Sequence, residues 1–222
     1  MKKVFGSNIL QVLPTSDGIL IAYYSEISEN KATVGFKRIV FETGAVTNVP
    51  KGYFLVEKFG NNYKTFEEYV QNYITCRVVD LGNGSTLIYE TNGNAKIFDS
   101  DAKLTWSGAF KYKNCPITSA AVRRKHLWAS YSKENAIIRY NLATMREELR
   151  LGGASSPLEK PKGLYTLGNE MIVCSSGANK LLNIDLSSYV INEYMSFDER
   201  VHEYIVSGEY EFVLLDSGLY LI

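Results

Sequence analysis

The sequence predicts an all-β fold, a single β-propeller of five four-stranded blades, and three observations carry that prediction. Tyr, Val, Ile and Phe gather in short runs separated by Gly, Asn, Asp and Ser, the alternation of strands and tight turns. One such run recurs, beginning at Gly18 (GILIAYY), Ser85 (STLIYE), His126 (HLWASYS), Glu170 (EMIVCSS) and Tyr210 (YEFVLLD). Three of the four steps between these starts match the roughly 40–45 residues of a four-stranded blade. The ends of the chain are complementary as well: the last unit is one strand short, and the first is preceded by a spare strand.

Each unit divides into strands a to d. The second unit gives 74–81, 85–90, 95–99 and 103–110; the third 117–122, 126–131, 136–141 and 145–151; the fourth 162–167, 170–175, 180–185 and 189–195. The turns from a to b are Asp17-Gly18, Asn83-Gly84, Gly168-Asn169 and Ser207-Gly208, residue types that accept the positive φ of two-residue hairpins. Between b and c stand Asn94, Asn135 and Asn179, expected in the left-handed region. Strand c ends on Asp99, Asn141 or Asp185, whose side-chain oxygen can accept from the next turn's backbone.

The fifth unit offers 202–207, 211–216 and 218–222 and then the sequence stops, so residues 2–6 are expected to complete it and close the ring, removing two exposed sheet edges. The long first interval places an irregular insertion at about residues 50–72, within or after the first blade. There 53–59 reads as strand d of that blade, while Phe66, Tyr69, Val70 and Tyr73 fall at helical spacing with Glu67 and Glu68 opposite. A short helix or turn and an irregular edge strand are both compatible with that pattern. Six blades, one of them degenerate, is the competing count, and the domain is read as 1–222 throughout.

Residues 153–186 carry a further pattern: Gly153, then Pro161-Lys162-Gly163-Leu164, Gly168-Asn169, Ile172-Val173 and Asn179-Lys180-Leu181. This run resembles the repeat of NHL-type propellers and their YVTN and gluconolactonase-like relatives. The resemblance is good over this blade, partial over the third and poor over the first two. It departs after strand b, where Cys174-Ser175-Ser176 replaces the family's common Asp. What it implies is the propeller fold, since such rings host scaffolds, lyases, lactonases and nucleic-acid binders. It also implies an alternative activity, a metal-dependent hydrolase, lactonase or lyase holding a divalent cation such as calcium at the central channel through carboxylates such as Glu90 or Asp216.

Composition excludes several classes. Lys plus Arg and Asp plus Glu both total 24, so the chain lacks the basic excess that phosphate backbones demand, and no nucleic-acid partner is expected. The basic run Arg123-Arg124-Lys125 reads as a hairpin turn. No stretch approaches the roughly 20 apolar residues of a membrane span, and MKKVFGSNIL lacks the apolar segment of a secretion signal, so a cytoplasmic protein without a membrane partner is expected. Cys76, Cys115 and Cys174 have no metal-ligand spacing and read as buried thiols.

Nucleophile-elbow, zincin, phosphate-loop and dinucleotide motifs are all absent, and two histidines cannot build a multi-histidine metal site. Chemistry must therefore be sought where blades differ. The d–a and b–c connections open at one end of every blade, and near that end stand Tyr24, Glu90, Tyr131, Lys162, His202 and Asp216, a candidate polar binding site with a titratable histidine. His202, at the start of the closing blade's strand a, is the foremost of these; His126 belongs to the opposite end. The expected function is a non-enzymatic module that recognises a protein or a small ligand on one face, with no cofactor.

Overall fold

The computed structural model describes residues 1–28, 31–153 and 155–222. In chain order the elements are β1 (Lys2–Phe5), β2 (Ile9–Pro14), β3 (Gly18–Ser28), β4 (Lys31–Val40), β5 (Val46–Asn48), α1 (Lys51–Phe59), a 3-10 turn (Tyr63–Phe66) and α2 (Glu67–Gln71). There follow β6 (Cys76–Asp80), β7 (Thr86–Glu90), β8 (Asn94–Phe98), β9 (Leu104–Ala109), and a two-residue pair β10 (Lys111–Tyr112) and β11 (Cys115–Pro116). The remainder are β12 (Ser119–Arg123), β13 (His126–Tyr131), β14 (Ala136–Asn141), β15 (Glu147–Gly152), β16 (Pro161–Leu167), β17 (Glu170–Ser175), β18 (Lys180–Asp185), β19 (Ile191–Ser196), β20 (Val201–Ser207), β21 (Tyr210–Leu215) and β22 (Gly218–Leu221).

Four sheets of four strands follow the chain as meanders, β2-β3-β4-β5, β6-β7-β8-β9, β12-β13-β14-β15 and β16-β17-β18-β19, and a fifth runs β1-β22-β21-β20. The fold is a five-bladed β-propeller, and the N-terminal strand supplies the missing strand of the last blade. β1 lies antiparallel to β22 with Lys2 opposite Leu221 and Lys3 opposite Tyr220. The chain divides into two compact units, one of Met1–Cys76, Ile205–Val213 and Ser217–Ile222, the other of Arg77–Tyr204 and Leu214–Asp216.

The turns follow from their residues. Gly84, Gly168 and Gly208 take positive φ between strands a and b, and in the third blade Arg124 does so within the basic run, with Arg123 paired to His126 across the hairpin. Gly18 is required for another reason: a Cβ there would lie 1.9 Å from the Ile39 carbonyl oxygen. Between b and c, Asn135 and Asn179 adopt the left-handed conformation, as expected. Asn94 does not; Gly93, which has no Cβ to clash, takes that conformation and Asn94 begins β8. At the end of strand c, Asp185 Oδ1 accepts from the Ser187 and Ser188 amides, Asn141 Oδ1 from Ala143 and Thr144, and Asp99 Oδ1 from Asp101 and Lys103.

In the larger unit, neighbouring blades sandwich their strands, so both faces of a strand are apolar. From β13, Leu127, Ala129 and Tyr131 join Leu87, Tyr89, Ile97 and Phe110, whereas Trp128, on the opposite face, packs with Ile137, Leu158, Met171 and Val173. Trp106 is a partly buried neighbour of the first cluster. The three cysteines are buried thiols.

In the smaller unit, the insertion differs from the expected strand. The fourth strand of the first blade is Val46–Asn48, and residues 53–59 belong to helix α1. Phe54, Leu55, Lys58 and Phe59 are its buried positions, an i, i+1, i+4, i+5 stripe of helical period. Phe54 packs on Leu20, Ala22 and Phe36. Lys58, 6% exposed, donates to Gln11 Oε1 at 2.8 Å, to the Cys76 carbonyl at 2.7 Å and to the Tyr73 carbonyl. The helical spacing of Phe66 to Tyr73 materialises as the 3-10 turn and α2. No helix among the described residues is long and apolar enough to cross a membrane.

Candidate functional site

Antiparallel pairing places the start of strand a and the end of strand b at the same end of a blade. In the larger unit this brings together β16 and β20, the inner strands of the fourth and fifth blades, and the turn after β21. Gly163 permits the approach. A Cβ there would stand 2.9 Å from the His202 carbonyl oxygen and 3.0 Å from Glu203 Cα, so any other residue would push the two strands apart. The β16–β17 ladder is irregular between Pro161 and Leu164, where Lys162 sits.

Three of the six residues singled out from the sequence meet here. Lys162 Nζ lies 2.9 Å from His202 Nδ1, and His202 Nε2 lies 2.6 Å from Asp216 Oδ1. Arg200, just before β20, places Nε 2.8 Å from Asp216 Oδ2. A carboxylate only accepts, so the short contact to Asp216 assigns the proton to Nε2, and in the neutral imidazole Nδ1 then carries the lone pair that accepts from Lys162. The order is ammonium, imidazole, carboxylate, guanidinium.

The electrostatics follow from the neighbours. Burial lowers the Lys162 pKa from its ordinary value, and the Arg200 and Lys160 charges act in the same direction while Asp216 opposes them. The hydrogen bonds from Arg200 and His202 hold Asp216 below the usual carboxylate range. The His202 side chain is 22% exposed, Asp216 37% and Arg200 63%, so the cluster runs from a half-buried amine to an open guanidinium.

The other three candidates lie elsewhere. Tyr131 is buried, its hydroxyl 2.7 Å from that of Tyr140, because β13 presents it to the hydrophobic cluster and not to solvent. Glu90 ends β7 and accepts from Asn92. Tyr24 belongs to the smaller unit, where β3 runs on past its last pairing with β2 at Tyr23, and is exposed. His126 is engaged by Glu148 at 3.1 Å, with Arg139 on the same carboxylate. Burial and the Arg139 charge lower its pKa.

Sequence reasoning did not single out Arg200 or Arg77. Arg77 Nη2 pairs with Glu203 Oε1 at 3.2 Å, joining the second blade to the fifth, while its Nη1 is buried with no hydrogen-bond partner among the described residues. Arg200 carries a readable signal, since it precedes a strand a directly and so falls at the same blade end as His202.

No family model matches the chain, and a search of curated proteins finds no match. Solved structures do resemble it. Virginiamycin B lyase of Staphylococcus aureus aligns with a TM-score of 0.52 at 14% identity, over 96% of this chain and 64% of that one. A streptogramin B lyase aligns at 0.53 and 13% identity, over 97% of this chain and 66% of that one. The Pan2 WD40 domain of Neurospora crassa aligns at 0.53 and 13% identity, over 65% of this chain and 45% of that one. The chain therefore spans just under two thirds of the length of the lyases it matches, and at these identities the likeness establishes the β-propeller fold.

Proposed function

We propose that the protein is a binding propeller whose larger unit takes an anionic group, a carboxylate or phosphate on a small molecule or a protein, at Lys162, His202 and Arg200. The observation that carries this reading is one of charge: the Arg200 guanidinium and the His202 imidazole hold the single carboxylate of Asp216, the Lys162 amine lies beyond the imidazole, and Lys160 adds a further positive charge toward Lys162. A ligand oxyanion beside Lys162 and Arg200 relieves that excess through charge-assisted hydrogen bonds. The protein acts from the cytoplasm in this reading, on a soluble partner.

The resemblance to NHL and gluconolactonase-like repeats, and the lyases among the structural neighbours, keep a metal-dependent lyase or hydrolase as the second reading. The residues do not fit its cation. Both oxygens of Asp216 are already taken, by His202 and Arg200, and Glu90 accepts from Asn92. Hard cations need several oxygen ligands converging at one point, and no group of three His, Cys, Asp or Glu side chains converges among the described residues.

The test is calorimetric titration with inorganic phosphate and with succinate, on the wild type and on Lys162→Ala with Arg200→Ala. Binding that weakens about tenfold or more in the double variant, and with rising salt, is the expected result. Equal affinity in the two proteins overturns the reading.

A further inference from the structure

We propose that Lys162 is a nucleophilic amine, activated by proton transfer along the Lys162–His202–Asp216 chain, and that it forms an imine with the carbonyl group of an anionic ligand held at this site. The inference rests on the anion-binding reading for its choice of ligand, but its chemistry stands on the geometry of the three side chains.

The geometry is that of a base held by an orienting group. Nε2–H of His202 is fixed on Asp216 at 2.6 Å, which leaves Nδ1 as an acceptor 2.9 Å from Lys162 Nζ. A proton leaving Nζ therefore has a receiver already in hydrogen-bond contact, and the imidazolium so formed faces a carboxylate that stabilises it. Four charged or titratable groups act on Lys162. His202 accepts its proton, Arg200 and Lys160 disfavour its charge, and Asp216 favours it; burial is the largest influence and also disfavours the ammonium. Other lysines are arranged differently. Lys180 donates to a carboxylate, that of Glu193 at 2.6 Å, and Lys58 is committed to three acceptors inside the smaller unit.

The reaction balances without an oxidant or reductant. The Nζ lone pair attacks the carbonyl carbon, a C–N bond forms, and the carbonyl π pair moves to oxygen. That oxygen takes the proton His202 received from Nζ, and the attached nitrogen, now positively charged with two hydrogens, gives one of them to His202 Nδ1 to leave a neutral carbinolamine. His202 passes this second proton to the hydroxyl, water departs as the nitrogen lone pair forms the C=N bond, and an ammonium plus a carbonyl compound has become a protonated imine plus water. The step reverses by the same path. Arg200, on the far side of Asp216 and the most exposed of the four, is placed to hold the ligand's anionic end.

The experiment labels the whole protein with two aldehydes, butanal and pyridoxal 5′-phosphate, each trapped by cyanoborohydride reduction of the imine, and reads the modified lysines by peptide mapping. Both aldehydes are expected to modify Lys162 first, at least about tenfold faster than Lys180, with pyridoxal phosphate the faster and slowed by inorganic phosphate. His202→Gln, its fold checked by circular dichroism, is expected to slow butanal labelling of Lys162 while leaving that of Lys180 unchanged. Butanal labelling of Lys162 no faster than of Lys180 in the wild type overturns the nucleophile and needs no variant. If pyridoxal phosphate alone prefers Lys162, the anion site stands and the activated amine falls. If butanal prefers Lys162 but phosphate does not compete, the amine stands and the anion reading falls.

Discussion

Replacing Lys58 by Met removes a buried ammonium while keeping most of its apolar volume, and the structure sets the size of the effect. Three acceptors, Gln11 Oε1 and the carbonyls of Tyr73 and Cys76, lose their donor in surroundings where Lys58 itself is 6% exposed. Each buried acceptor left without a partner costs about 1–3 kcal/mol. The variant also escapes the desolvation of a charged amine, which offsets part of that loss. The balance is a destabilisation of about 3 kcal/mol, a fall in Tm of about 6–12 °C for a chain of this length. Scanning calorimetry measures it, and hydrogen exchange should locate the loosening at α1 and the start of β6, where those carbonyls lie. A Tm within about 2 °C of wild type would refute the reasoning, because desolvation of the amine would then equal all that its three hydrogen bonds contribute.

Gly218→Ala should open the closing seam: its φ is +145° and the new Cβ would lie 2.3 Å from the Phe5 carbonyl oxygen, so protection of the β1 amides in hydrogen exchange is expected to collapse before that of β16 to β19. Trp128→Ala, which empties a fully packed position between the third and fourth blades, should cost about 3–5 kcal/mol in denaturant unfolding; a cost under about 1 kcal/mol would contradict the packing described. Asp185 has its carboxyl lowered from 3.8 to about 2, chiefly by the Ser187 hydroxyl and then by the Ser188 and Ser187 amides. The unfolded chain takes up that proton first, so the contribution is complete above 3.8 and is lost as pH falls toward about 2. Asp185→Asn should therefore flatten the acid limb of a Tm-against-pH curve over that window, and an unchanged limb would count against the assignment.

Blade phase was legible because turn chemistry is local. Asp99, Asn141 and Asp185 accept from amides two to four residues on, contacts that sequence position alone determines. The shift from Asn94 to Gly93 is of the same kind: where a Gly and an Asn are adjacent, the residue without a Cβ takes the left-handed place. Helix α1 was not legible. Its buried stripe includes Lys58, which a hydrophobic count assigns to the solvent face, and without it 53–59 reads as a strand. The meeting of Lys162, His202 and Asp216 followed from blade-end arithmetic. Their contacts depend on the close approach at Gly163, a glycine visible in the repeat pattern, but the strand it meets belongs to a different repeat and that pairing is not written in either. Tyr131 shows the converse error, since a residue at the right end of a strand can still face the neighbouring blade.

Within the five blades, β1 and β22 are the hydrogen-bonded neighbours that are not consecutive in the chain. Lys3 and Tyr220 are on the order of 200 residues apart, and closing a loop of that length costs about 5 kcal/mol of chain entropy, largely prepaid once the preceding blades have folded. The seam is thus a zipper whose teeth engage last. Because Lys2 faces Leu221 in an antiparallel register, force applied at those two residues loads the hydrogen bonds one at a time and not in parallel. Tension on the ends should peel β1 away at low force while the meandering blades, each strand tethered to the next, stay folded.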